Sequence, residues 1–350
     1  MPGETTQTIP KTPPETRFRG PIWTLLVLAP VIAEVLSGST RISFIFVLIP
    51  EIMVWGGGAL LCRELARRWS AGGVSMLLLG LALSVAEEFI IQQTSLAPLP
   101  FPGANAFYGR LLGVNWVYFL FMLAYESVWV VLIPVQVTEL LFPARRDQPW
   151  LRKRGIIGTC VAFVLGSFMA WYGWTQQARP RLGAAPYQPP AIGIAVGCAT
   201  IALLILVAYL LRARGHSGQI ESRRPPSPWL IGVISFILSI GWWCLMTCIF
   251  GPPPAFAAWF PLSLGVVWSL AAFALVTHWS GAAGWGDKHR CALSSGATLS
   301  CMLPTYVSTA GWLPIDLVGK IILNVLALLG LILLARSVWR RNSAPAALAT

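Results

Sequence analysis

Apolar runs long enough to cross a lipid bilayer recur along this chain, and that recurrence leaves it few folds to choose from. About 20 apolar residues in a helix span the hydrocarbon layer, because each residue rises about 1.5 Å and the layer is about 30 Å thick. Runs of this kind fall near 22–38, 43–62, 74–93, 115–142, 155–175, 191–211, 228–250, 257–278, 293–312 and 318–335. The ninth is the weakest, being rich in Ser, Thr and Gly. Lipid offers backbone groups no hydrogen-bond partners, so each run must satisfy its own as a helix. The expected fold class is therefore all-α, a polytopic transmembrane helix bundle of about ten spans.

Ten such spans use about 200 residues, which leaves short loops and no soluble domain of ordinary size. Only 11% of the 350 residues are charged, against roughly a quarter in soluble domains. Residues 1–20 hold four prolines and no apolar periodicity, so they read as a disordered tail. Residues 21–341 form one multi-pass membrane domain, and 342–350 a second short tail. No cleavable signal peptide is expected, because no basic region and small-residue cleavage site frame the first apolar run.

The loop charges orient the bundle. With the N-terminus inside, the alternate loops and tails on that side carry twenty Lys and Arg, and those on the other side carry five. The five are Arg41, Arg110, Arg179, Arg181 and Lys320. Cytoplasmic loops carry such an excess, and one miscounted span would scramble it. The expectation is an inner (cytoplasmic) membrane protein with both termini in the cytoplasm. The net charge of +12 thus belongs to span flanks and not to one patch, so a nucleic-acid partner is not expected. The expected partner is the lipid bilayer, together with a substrate or cargo that the sequence does not name. Trp23, Trp69, Trp116, Trp150, Trp174, Trp229, Trp312 and Trp339 lie near predicted span ends and suit an interfacial belt. The seven cysteines match neither a disulfide framework nor a zinc site, and no metal or cofactor is expected.

Six of the thirteen acidic residues fall inside predicted spans: Glu34, Glu51, Glu87, Glu88, Glu126 and Glu139. All lie in the first four spans, and spans five to nine hold none. A charged carboxylate at the bilayer centre costs at least about 2.5 kcal/mol, so these side chains must face protein or water. At about 1.5 Å per residue, Glu51, Glu87 and Glu126 sit roughly 12, 9 and 16 Å below the outer surface. Glu34 is shallower. Glu139 lies near the cytoplasmic end, close to Arg145 and Arg146, and reads as structural. Glu34, Glu51 and Glu126 are candidate members of a substrate or ion pathway. Helix breakers accompany them: Pro30, Pro50, Gly56-Gly57-Gly58 and Pro134. Interrupted spans mark binding sites in transporters, whereas small residues also permit close helix packing.

Glu87-Glu88-Phe89-Ile90-Ile91-Gln92 resembles the first motif, Glu-Glu-x-x-x-Arg, of the CPBP family of CAAX-processing and bacteriocin-processing intramembrane glutamate proteases. Gln92 stands where that motif has Arg. The family's second motif, Phe-x-x-x-His, is replaced by Met122-Leu123-Ala124-Tyr125-Glu126. No counterpart of the third, histidine-led motif follows His278 or His289. The resemblance implies Glu87 as the base that activates water, supported by Glu88, Gln92 and Glu126. The lost histidines imply a divergent relative. Gly113-Val114-Asn115-Trp116 and Glu139-Leu140-Leu141-Phe142-Pro143 are also similar to segments of uncharacterised bacterial multi-pass proteins. Beside this reading stand two others: a proton- or cation-coupled secondary transporter or channel, and a non-catalytic assembly subunit whose acids hold helices together.

Overall fold

A computed structural model describes residues 19–100, 107–212, 223–246, 256–307, 309 and 311–341. Most of the expected tail at 1–20, all of that at 342–350, Cys248 and His216 lie outside the described residues. Ten helices carry the fold: α1 (Gly20–Val35), α2 (Ile42–Arg68), α3 (Gly73–Ile91), α4 (Trp116–Leu141), α5 (Lys153–Arg181), α6 (Ala191–Leu210), α7 (Pro228–Met246), α8 (Trp259–Ser280), α9 (Asp287–Cys301) and α10 (Pro314–Arg341). Each predicted span has its helix, and among the described residues eight are long and apolar enough to cross a membrane. The exceptions are α1, which is apolar but short, and α9. The ninth span is corrected: its helix begins at Asp287 and ends at Cys301, not at 293–312. A short hairpin, β1 (Arg110–Leu111) and β2 (Val114–Asn115), precedes α4, with Arg110 opposite Asn115.

Packing separates an inner set from an outer one. In α3, 67% of the apolar window is buried, against 6% in α5, so α3 is core and α5 faces outward. Small residues allow the inner helices their close approach. A Cβ at Gly56 would stand 2.1 Å from the Leu26 carbonyl oxygen, and one at Gly58 would stand 2.7 Å from Leu83. The Gly56-Gly57-Gly58 stretch is therefore where α2 presses on α1 and α3. Likewise α7 and α9 touch at Gly232 and Gly296, and Ser235 Oγ donates to the Leu293 carbonyl at 2.7 Å.

One end of the bundle is basic and densely bonded. Here α2 runs on to Arg68, so Arg63, Arg67 and Arg68 are helical rather than loop residues as the hydropathy suggested. Arg63 is fully buried. Its Nε donates to Glu139 at 2.9 Å, and its other nitrogens reach the Arg145, Arg146 and Gln148 carbonyls. Arg67 meets both Glu139 oxygens at 2.7 Å. Glu139 is thus structural, as expected, but its partners are Arg63 and Arg67 instead of Arg145 and Arg146. Glu64 accepts from the Trp150 and Leu151 amides, and Arg146 pairs with Asp287 of α9 at 2.7 Å. Trp150, expected in the interfacial belt, is buried under the Arg63 guanidinium. The belt reading suits Trp23 and Trp229, which are exposed.

Two stability changes follow. Arg63→Ala leaves the buried Glu139 carboxylate half-neutralised and should cost about 3–5 kcal/mol, the scale for removing one partner of a buried pair. Gly56→Ala forces a Cβ against a backbone oxygen that cannot yield and should cost about 1–3 kcal/mol, the scale for overpacking. Thermal unfolding in detergent checks both; a melting temperature equal to that of the native chain contradicts the packing described.

Candidate functional site

Toward the other end, each of the first four helices contains a widened π turn, and each turn bears or adjoins an intramembrane acid. The turns are Val31–Val35 with Glu34, Ile52–Gly56 directly after Glu51, Glu87–Ile91 with Glu87 and Glu88, and Glu126–Leu132 with Glu126. The predicted breaks are thus changes of helical pitch, and the chain stays helical through them. One has a covalent cause nearby. Pro134, just after its π turn, lacks an amide proton and crowds the turn before it, which loosens the ladder there; Pro30 and Pro50 precede their π turns.

Freed backbone oxygens find side chains. At the end of α1 the Ile32 carbonyl faces Cys301 Sγ at 3.6 Å and the Leu36 carbonyl accepts from Lys320 Nζ at 2.7 Å. Tyr125 Oη lies 2.6 Å from the Ala33 carbonyl and 2.8 Å from Glu34 Oε1, so its single proton serves one or the other. Lys320, expected at an external loop, is instead buried within α10.

The carboxyl groups share one region. Glu51, Glu87, Glu88 and Glu126 are buried, each at most 2% exposed, and Glu34 is partly buried. Glu87 lies within coulombic range of Glu88, Glu34 and Glu51. Glu126 lies within range of Glu88, Glu87 and Glu34. Three of the five are held by hydroxyl donors: Glu34 by Tyr125, Glu51 by Thr40, and Glu88 by Ser95 at 2.6 Å. Among the described residues, both carboxyl oxygens of Glu87 are buried without a hydrogen-bond partner, and Glu126 has the Ser84 hydroxyl of α3 as its neighbour. Ion pairs among the described residues lie at the basic end: Arg63–Glu139, Arg67–Glu139, Arg68–Glu64 and Arg146–Asp287.

Gln92, expected to support Glu88, is half-buried and closes the π turn, its amide donating to the Glu87 carbonyl at 2.8 Å. Ser95 takes the place beside Glu88 that the sequence reading gave to Gln92. Sequence reasoning missed the hydroxyl set of Thr40, Ser84, Ser95, Tyr118 and Tyr125. Tyr118 is within range of Glu88, Glu126 and Glu34. A signal existed: Tyr118 and Tyr125 stand seven residues apart, two turns of one helix face, and Glu126 follows directly.

Among the described residues, no three His, Cys, Asp or Glu side chains are arranged to hold one metal ion. His278, in the last turn of α8, contacts Arg223 at 3.4 Å, and His289, in the first turn of α9, accepts at Nδ1 from the Gly286 amide at 3.2 Å; both lie at the basic end. The cluster's chemistry is therefore carboxyl and phenol chemistry: groups that accept, donate and share protons.

No curated protein and no solved structure matches this chain. A family model described as an uncharacterised membrane protein family matches residues 24–220. That match covers more than half of the chain and includes every carboxyl of the cluster. The chain belongs to this family of membrane proteins.

Proposed function

We propose that this multi-pass membrane protein is a proton-coupled carrier, and that Glu34, Glu51, Glu87, Glu88 and Glu126 form its proton-binding site. The observation that carries the reading is that Glu87 is buried beside other acids with no hydrogen-bond or ionic partner among the described residues. Several carboxylates buried together repel one another and lose hydration. Positive charge must join them, and a proton needs no chelating geometry. A divalent ion wants several oxygens around one point, and the described side chains do not converge in that way.

Roles divide by partner. Glu87, with free oxygens, and Glu126, beside the Ser84 hydroxyl, take up and release the proton. Tyr125, Thr40 and Ser95 hold Glu34, Glu51 and Glu88 in place as relay points toward the end away from the basic network. Intramembrane acids facing a bundle interior serve as proton relays in pumps and transporters. The four π turns beside the acids suit this role, since such turns gather at functional sites and leave backbone groups able to change partners; a fifth, Tyr172–Ala178 in α5, bears no acid. At the basic end, a cavity of about 100 Å³ lined by Arg67, Met76, Gln136 and Glu139 opens beside the start of α3. It supplies the approach along α3 and α4 from that side. By the charge bias, the basic end faces the cytoplasm of a cytoplasmic membrane.

A hydrolytic reading, with Glu87 as general base in a divergent glutamate protease, draws support from the adjacent Glu87-Glu88 pair and the free Glu87 oxygens. It wants a neutral donor to stabilise an oxyanion. The family histidines have no counterpart in the first four spans. Under the assembly-subunit reading the acids would be bonded to neighbouring helices, and Glu87 has no such bond among the described residues.

The test uses the full chain in vesicles that enclose a pH-sensitive dye. After an external pH step, Glu87→Gln and Glu126→Gln should each slow proton flux at least about tenfold, the weight of one displaced proton-transfer group. Glu87→Gln should leave the melting temperature unchanged, since Glu87 gives up no hydrogen bond. Flux that matches protein-free vesicles contradicts the carrier. Cleavage of a transmembrane peptide that Glu87→Gln abolishes would favour hydrolysis, and a large fall in melting temperature would favour the structural role.

A further inference from the structure

Directly after the acid pair of α3 the chain stops being helical yet stays buried. Gln93 takes a left-handed conformation, φ 61°, which is costly for a residue with a Cβ. Residues 93–97 and Leu99 are all buried. Non-helical backbone at such a depth is tolerated only where protein or water meets each polar group. Here five successive carbonyls are met from outside the segment. Asn115 Nδ2 donates to the Thr94 and Ala97 carbonyls at 3.3 and 2.6 Å, and the Asn115 amide donates to the Ser95 carbonyl at 2.8 Å. Arg110 Nη2 donates to the Leu96 carbonyl at 2.6 Å, and Arg179 Nη1 to the Pro98 carbonyl at 2.9 Å. Arg110 Nη1 also donates to Asn115 Oδ1 at 2.9 Å, which joins two of the three holders. This accounts for Gly113-Val114-Asn115-Trp116: the hairpin turns so that a buried Asn can grip the segment.

Those three holders come from two other parts of the chain, the hairpin and the end of α5. The segment itself reaches the carboxyl cluster through Ser95, whose hydroxyl donates to Glu88 at 2.6 Å. The geometry points to residues 92–100 acting as a lid over the carboxyl site, latched by Ser95 to Glu88 and clasped by Asn115, Arg110 and Arg179. This rests on the carboxyl cluster being the working site, and it adds how that site is closed at the end away from the basic network. A stretch whose carbonyls hang on three side chains moves as a unit when those side chains let go. Release then uncovers Glu88 first and Glu87 one residue deeper.

The test measures access and not transport. Full-length protein in detergent is treated with a water-soluble carbodiimide and an amine, and labelling at Glu87 and Glu88 is read by peptide mass spectrometry. Hydrogen exchange is followed at residues 93–97, with residues 63–68 as reference. Arg110→Ala and Asn115→Ala should raise both labelling and exchange at least about fivefold, with the reference unchanged, as local opening requires. Ser95→Ala keeps the clasp and loses only one hydrogen bond, so it decides the matter should a clasp variant unfold. It should raise Glu88 labelling at least about threefold, the scale of one net hydrogen bond. Labelling and exchange at native levels in Ser95→Ala overturn the lid. Altered access without any carboxyl-dependent proton flux would sink the carrier and leave the lid standing; flux with unaltered access would do the reverse.

Discussion

Inside a bilayer every polar group must find its partner within the chain, and the architecture follows from how each is found. Most backbone groups are satisfied by the helices themselves. The π turns of α1 to α4 break that self-sufficiency at four places. The end of α1 shows the result. Its loose carbonyls are met by Cys301 from α9, Tyr125 from α4 and Lys320 from α10. Helices far apart in sequence are thereby tied to one short stretch of α1, at the level where the acids gather.

The two ends of the bundle treat charge in opposite ways. At the basic end, buried Arg63 and Glu139 stabilise each other, and loop carbonyls take up the remaining guanidinium protons. Such a network fixes geometry, because removing one member strands another. Toward the other end carboxyls sit beside carboxyls, with Glu87 left without a hydrogen-bond partner among the described residues. One arrangement is saturated and the other is open, and the proposed division of structure to Glu139 and chemistry to Glu87 rests on that contrast.

Much of the fold was legible because hydropathy and helix length follow from one solvent. The ends were harder to read. Arg63 and Arg67 looked like loop residues because charge normally ends a span; Glu139, seventy-odd positions away, is what keeps them in the helix. The ninth span was misplaced because its Ser, Thr and Gly serve contact with α7 and not contact with lipid. At the site, the acids stood out by cost alone, and four helices did bring them together. Their hydroxyl partners did not stand out, since Thr40 and Ser95 lie outside the helices and nothing local marks which acid they meet. Gln92 looked like the neighbour of Glu88 on an ideal α-helical face, and the π turn shifted that register.

The cage around Arg63 has a mechanical consequence. It ties α2, the end of α4 and the loop before α5 at one level, while Arg146 and Arg341 bring α9 and α10 to the same level. A bundle pinned at one end behaves like a set of levers with a common fulcrum. Tilting a 30 Å helix by about 5° about that point shifts its far tip by about 2.6 Å, close to the diameter of a water molecule. Small rotations at the fulcrum are therefore enough to wet the far tips while every contact near Arg63 stays in place.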